Sequence, residues 1–121
     1  MVSPAAPDPQ ALLPLSTPVF HILLSLHQRE LHGYAIIQDI ERRTSGQVRL
    51  STSTLYGAIK RMMRDGLVER SAERPDANLD DERRRYYRIT QFGREVARAE
   101  ANRIERLAQL AKSARLLTPT P

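Results

Sequence analysis

The sequence predicts a mainly α-helical chain with one small β-hairpin. Apolar residues recur at three- and four-residue intervals in four separate segments, which is the helical period. Two short alternating runs, Leu67-Val68-Glu69-Arg70 and Arg85-Tyr86-Tyr87-Arg88-Ile89, flank a polar stretch containing Pro75, Asp76 and Asn78. That is the pattern of a hairpin with a long loop. A last apolar stripe then runs from Phe92 to Leu117.

Residues 1–15 carry Pro4, Pro7, Pro9 and Pro14 among small side chains and read as a flexible N-terminal arm, with Leu12, Leu13 and Leu15 free to close over a partner helix. Ser16-Thr17-Pro18 supplies a hydroxyl cap followed by proline in the first turn. Val19, Ile22, Leu23 and Leu26 then make a first helix ending between Gln28 and Leu31. Gly33 marks the break before a second helix, in which Ile36, Ile37 and Ile40 face the core. Gln38, Asp39, Glu41, Arg42 and Arg43 face out, and Gly46 is the natural stop. Val48-Arg49-Leu50 alternates and is too short for a helix, so a brief strand is expected there. Ser51 caps a third helix running to about Asp65 and closed by Gly66, and Thr90 caps a fourth that continues to about Leu117. The order helix, helix, short strand, helix, strand, loop, strand is that of a winged helix-turn-helix. It occupies residues 16–90, a long C-terminal helix occupies 91–117, and 118–121 form a tail.

The 121 residues suit one domain with a modest core. An excess of 19 Lys+Arg over 14 Asp+Glu gives a formal charge of +5, and the pI of about 10.2 invites a polyanionic partner. An Arg-rich proteome would produce the same balance. The excess is local, with +2 over residues 51–72 and +3 over residues 91–121. The absence of Cys excludes disulfides and thiolate metal sites. Val19 to Leu26, the longest nearly apolar run, is broken by His21 and Ser25 and falls far short of the roughly 20 residues a bilayer span needs. The opening Met-Val-Ser-Pro-Ala-Ala places no basic residue ahead of an apolar stretch, so a cytoplasmic chain without a membrane partner is expected. His21, His27 and His32 have neither a shared face nor a carboxylate cluster, so no metal or other cofactor is expected. There is no Gly-x-Ser-x-Gly elbow, phosphate-binding loop or dinucleotide fingerprint, which argues against an enzyme.

The third helix carries the most specific chemistry. At 100° per residue, Leu55, Ala58, Ile59, Met62 and Met63 form a core-facing stripe. Ser53, Gly57, Lys60 and Arg64 lie opposite, flanked by Thr54 and Arg61 on one edge and Tyr56 on the other. Hydroxyls and cations can donate to phosphate oxygens or guanine acceptors, and a residue without a side chain lets the backbone come close. An ordinary solvated basic face would look similar, but the following hairpin favours nucleic acid. Arg83 and Arg84 stand near its second strand, where a wing could meet phosphates or a minor groove. Arg74 is a weaker candidate, because Asp76, Asp80, Asp81 and Glu82 would repel phosphate from the loop tip.

Three motifs occur together: His32-Gly33-Tyr34, then Ser51 through Leu67 (STSTLYGAIKRMMRDGL), then Arg85-Tyr86-Tyr87-Arg88-Ile89-Thr90. In order and spacing they resemble the PadR family of bacterial transcriptional regulators, over roughly residues 16–112. The resemblance implies a homodimeric winged-helix repressor on two-fold related half-sites of double-stranded DNA. It implies that Tyr56 contacts the DNA backbone and that the start of the third helix, Ser51, Thr52, Ser53 and Thr54, meets the bases. Many members carry Pro-Gly after the capping serine and Pro after the Tyr; here Thr52-Ser53 and Gly57 stand in those places. Some members respond to small molecules, phenolic acids among them. This chain has no Trp and few aromatics, so no aromatic effector slot is evident.

In the fourth helix Phe92, Val96, Ala99, Arg103, Leu107, Leu110, Ala114 and Leu117 follow helical spacing, and Ile104 and Ala111 thicken the stripe. A helix of about 26 residues spans near 40 Å, more than a domain of this size covers by itself. Self-association through Phe92, Val96, Ala99, Arg103, Ile104, Leu107, Leu110, Ala111 and Ala114 is therefore expected. A two-fold dimer would set two reading helices about one DNA turn apart, near 34 Å. The competing reading is a winged helix that binds proteins, which salt dependence would separate from phosphate binding.

Overall fold

A computed structural model describes residues 7–71 and 85–118. Four helices and a three-stranded sheet follow one another as α1 (Thr17–Gln28), β1 (Leu31–His32), α2 (Gly33–Arg43), α3 (Thr52–Arg64), β2 (Val68–Arg70), β3 (Tyr86–Ile89) and α4 (Gln91–Ser113). This is a winged helix-turn-helix with a long terminal helix. The hydroxyl caps fall where the sequence places them. Ser16 accepts from the Val19 amide, Ser51 from Thr54 and Thr90 from Gly93, each satisfying a donor the helix leaves unpaired.

Gly66 closes α3 at φ 78°. Its own N–H bonds to the Met63 carbonyl, and that of Leu67 bonds to Met62. This paired closure needs a left-handed residue, which favours glycine. Thr90 then fastens α4 to the same corner, its hydroxyl donating to the Gly66 carbonyl at 2.6 Å. Gly93 follows because an added Cβ would overlap the Leu67 carbonyl oxygen.

The sheet is antiparallel in the order β1-β3-β2, with Leu31 opposite Tyr87 and Val68 opposite Ile89. Its inner face and the three domain helices enclose one core, built on Ile22, Leu23, Leu26, Ile36, Ile40, Leu55, Ile59, Met62, Leu67, Val68, Tyr87, Ile89 and Val96.

Several expectations are corrected. The short strand is Leu31–His32, ahead of α2, while Val48-Arg49-Leu50 has no strand pairing. Two residues carry no periodicity of their own, and only pairing with Tyr86 and Tyr87 makes β1 a strand. Gly33 is the first residue of α2, not a gap, and His32 caps it through Nδ1 at 3.1 Å from the Ala35 amide. Asp39 is buried, not solvent-facing. It shares the inner side of α2 with Ile36 and Ile40, and its carboxylate is held by Arg42 at 2.6 Å and Arg43 at 2.7 Å.

Met63 sits at the edge of the α3 stripe and is 39% exposed. Of the N-terminal arm, residues 9–12 form a 3-10 turn, and Leu12, Leu13 and Leu15 pack against the chain's own core. The helix α4 ends at Ser113, four residues short of Leu117, where Arg115 turns left-handed and Leu116 bonds back to Ala111.

Candidate nucleic-acid interface

The helix α3 presents a face on which every side chain without a core role is hydroxylic or cationic. Ser51, Thr52, Ser53 and Thr54 are all exposed at its N-terminus. The Ser51 hydroxyl accepts from the Thr54 amide at 3.1 Å and donates to Thr54 Oγ1 at 2.9 Å. Ser53 Oγ lies 3.2 Å from Ser51 Oγ. The cap thus ties three hydroxyls into one cluster at the positive end of the helix dipole, a setting that favours phosphate oxygens.

Further along, Lys60, Arg61 and Arg64 are exposed. Arg64 has Asp65 as a neighbour at 3.5 Å, with the arginine largely in water and the aspartate partly so. Among the described residues a Cβ at Gly57 would meet nothing nearer than the Arg61 guanidinium, 3.6 Å away, so they leave the middle of this face open to close approach.

Tyr56 is half-buried. Its ring lies over Gly33, where an added Cβ would come 2.8 Å from Cζ and closer still to the hydroxyl. The Gly-Tyr that opens α2 and the Thr-Leu-Tyr of α3 are therefore two halves of one contact: Gly33 lacks a side chain because Tyr56 fills its place. This packing fixes α3 against α2. The turn between them is held by Thr44, whose hydroxyl donates to the Ile40 carbonyl at 2.9 Å and accepts from the Val48 amide at 3.0 Å. Arg74, Arg83 and Arg84 of the wing lie outside the described residues.

The expected interface on α4 divides in two. Val96 is fully buried within its own chain and Ala99 is 9% exposed. Phe92 packs against the core. These three pack within their own chain, where α4 lies against α1 and the N-terminal 3-10 turn. Ile104, Leu107 and Leu110 are 40%, 51% and 66% exposed, and Ala111 is half-buried. Ala114 is exposed but caps the helix end.

Arg103 marks the division. Its Nε donates a short hydrogen bond to Oε1 of Glu100, and Oε2 of Glu100 accepts from the Leu15 amide at 2.7 Å. The sequence offered no sign that Glu100 would be buried, because a glutamate in an amphipathic helix ordinarily faces water. The Arg103 hydrogen bond lowers its pKa against the opposing effect of burial, with further help from the Leu15 amide. Arg103 is correspondingly raised by the same bond. For Asp39, burial pushes the pKa up, but the neighbouring Ser25, Arg43 and Arg42 together bring it below the ordinary value. The Ser25 hydroxyl is buried beside this carboxylate without a hydrogen bond of normal geometry.

Among the described residues no group of His, Cys, Asp and Glu is placed to hold a metal ion, and no helix is long and apolar enough to cross a membrane. Comparison with solved structures finds the same fold in a transcriptional regulator from Clostridium thermocellum. The two are 23% identical with a TM-score of 0.67, covering 82% of this chain and 96% of that one. A PadR family transcription regulator from Clostridium difficile is 20% identical with a TM-score of 0.66, covering 81% and 97%. An uncharacterised protein from Lysinibacillus sphaericus is 33% identical over 73 residues, which is 60% of this chain and 64% of that relative. The chain thus spans just under two thirds of the length of that relative. The transcriptional regulator PadR-like family model matches residues 22–99. The three motifs noted in the sequence all fall inside or beside that span, and the chain belongs to the PadR-like family of transcriptional regulators.

Proposed function

We propose that the chain is a sequence-specific DNA-binding regulator that represses by occupying a two-fold symmetric operator as a homodimer. The observation that carries this reading is the exposed face of α3. It opens on the hydroxyls of Ser51 to Thr54, continues through Gly57, Lys60, Arg61 and Arg64, and holds no acidic residue before Asp65. Such a face can enter a major groove, with the cations on phosphates or guanine and the hydroxyls on phosphates or base edges. Arg83 and Arg84 would add phosphate contacts from the wing.

Self-association is supported by the second half of α4, where Ile104, Leu107 and Leu110 are exposed, with exposed Leu116 and Leu117 following beyond the helix end. A second copy of the same stripe covers it with matching periodicity. In this reading the regulator works in the cytoplasm. A small-molecule effector would act by preferring one packing of the paired α4 helices, and so one separation of the two α3 helices.

The test is selection from a random duplex pool at about 150 mM salt, followed by a salt titration on any enriched site. A two-fold symmetric site whose affinity falls steeply with salt is the expected result. Retention without enrichment reduces the reading to a basic surface. A protein that retains no DNA is better read as a protein-binding module. On an enriched site, Lys60→Ala or Arg61→Ala is expected to lose about 1–3 kcal/mol and relax one base position if the residue reads a base.

A further inference from the structure

We propose that the segment from Pro9 to Ser16 is a strap that sets the angle at which α4 leaves the winged domain, with Glu100 as its positioning residue. The inference rests on the DNA-binding dimer proposed above.

On one side the strap is tied to α4. The 3-10 turn Pro9–Leu12 packs against α4, and the Leu15 amide donates to the buried Glu100 carboxylate at 2.7 Å. On the other side it reaches the end of the reading helix. Leu12, Pro14 and Leu15 line a cavity of about 130 Å³ together with Arg61, Met62 and Asp65 from the last turn of α3. One short segment therefore packs on the helix expected to pair and shares a cavity wall with the end of the helix proposed to read.

Two features make Glu100 the control point. It is 1% exposed, so its charge depends on the two donors it has, Leu15 and Arg103. Lifting the strap strips one donor from a buried carboxylate, which is strongly unfavourable. It also stands where α4 changes surroundings: Val96 and Ala99 before it lie in the core, and Ile104, Leu107 and Leu110 after it are exposed.

From Glu100 to Ser113 the helix extends about 20 Å, at roughly 1.5 Å per residue. A tilt of about 10° at Glu100 moves the far end by about 3.5 Å, close to the 3.4 Å step between base pairs on one strand. The strap thus has the leverage to fix half-site spacing to a single base pair.

The test is selection from a duplex pool whose two half-sites are separated by spacers of every length around the preferred one. The wild-type full chain is expected to enrich one spacing. Glu100→Leu, which removes both hydrogen bonds, is expected to accept spacings one base pair longer and shorter with unchanged half-site sequence. Glu100→Gln keeps an acceptor for the Leu15 amide and is expected to retain the narrow spacing.

If Glu100→Leu does not melt cooperatively, the double change Leu12→Ser with Leu13→Ser loosens the strap without altering α4 and is read in its place. A folded strap variant with the wild-type spacing profile overturns the inference while leaving the DNA-binding reading intact. Failure of the wild type to enrich any paired site overturns both.

Discussion

Replacing Gly93 with Ala sets helix propensity against packing, and the structure decides which wins. In a helix interior Ala is favoured over Gly by about 1 kcal/mol. At Gly93, however, the added Cβ would overlap the Leu67 carbonyl oxygen and lie 2.8 Å from Ile89 Cγ1. That carbonyl has little freedom to withdraw, because it accepts from the Thr90 amide at 3.0 Å and the Thr90 hydroxyl at 3.1 Å. Thr90 is also the cap of α4. Overpacking against backbone costs about 1–3 kcal/mol, and weakening a cap adds roughly 1. After the propensity gain, the expected net loss is about 2 kcal/mol, or near 8 °C in Tm for a domain of this size.

Gly57→Ala is the control. There the only neighbour among the described residues is a flexible Arg61 guanidinium at 3.6 Å, so the propensity term stands alone and Tm is expected to rise by about 4 °C. Thermal unfolding followed by circular dichroism reads both, at one fixed protein concentration because self-association raises apparent stability by mass action. A Gly93→Ala protein that melts at or above the wild-type temperature refutes the close approach of α4 to the Leu67 corner.

The buried carboxylates fix the response to acid. Glu100 and Asp39 have native pKa values lowered from ordinary values of 4.5 and 3.8. Their stabilisation is therefore fully present above those values and is lost as pH falls through the lower native ones. Stability measured by denaturant titration should fall below about pH 4.5, and Glu100→Gln should flatten that decline; an unchanged slope would contradict the lowered Glu100 pKa. Ser51→Ala removes the cap of α3 and the centre of its hydroxyl cluster, so a loss of about 1 kcal/mol is expected in chemical denaturation. Leu110→Glu places a charge on the 66%-exposed stripe and is expected to yield a folded monomer in sedimentation; a persistent dimer would move the interface elsewhere.

Much of this molecule is written locally. The caps Ser16, Ser51 and Thr90, the closing Gly66 and the apolar spacing of the four helices each depend on residues within a turn or two. They are accordingly legible before any fold is known, as is the hydroxyl and cationic face of α3. The three motifs that carry the family resemblance are equally visible, but the reason for one of them is not. Gly33 and Tyr56 stand 23 positions apart, and only packing α3 on α2 shows that the ring occupies the space of the missing side chain.

The same holds wherever expectation and structure part. The strand Leu31–His32 exists through its pairing with Tyr86 and Tyr87. Asp39 is buried because the side of α2 that it shares with Ile36 and Ile40 packs into the core, beside Ser25 of α1. The proline-rich arm docks because Glu100 waits for the Leu15 amide 85 residues away. In α4 a single continuous stripe of apolar residues is covered by its own chain in one half and exposed in the other. Periodicity shows which side of a helix is apolar but not what covers it, and the boundary at Glu100 and Arg103 appears only when the rest of the domain is in place. Sequence alone determined the four helices, the caps Ser16, Ser51 and Thr90 and the chemistry of the exposed face of α3. The tertiary structure decided which charges are buried and where the domain stops, because those depend on distances between residues that the chain keeps far apart.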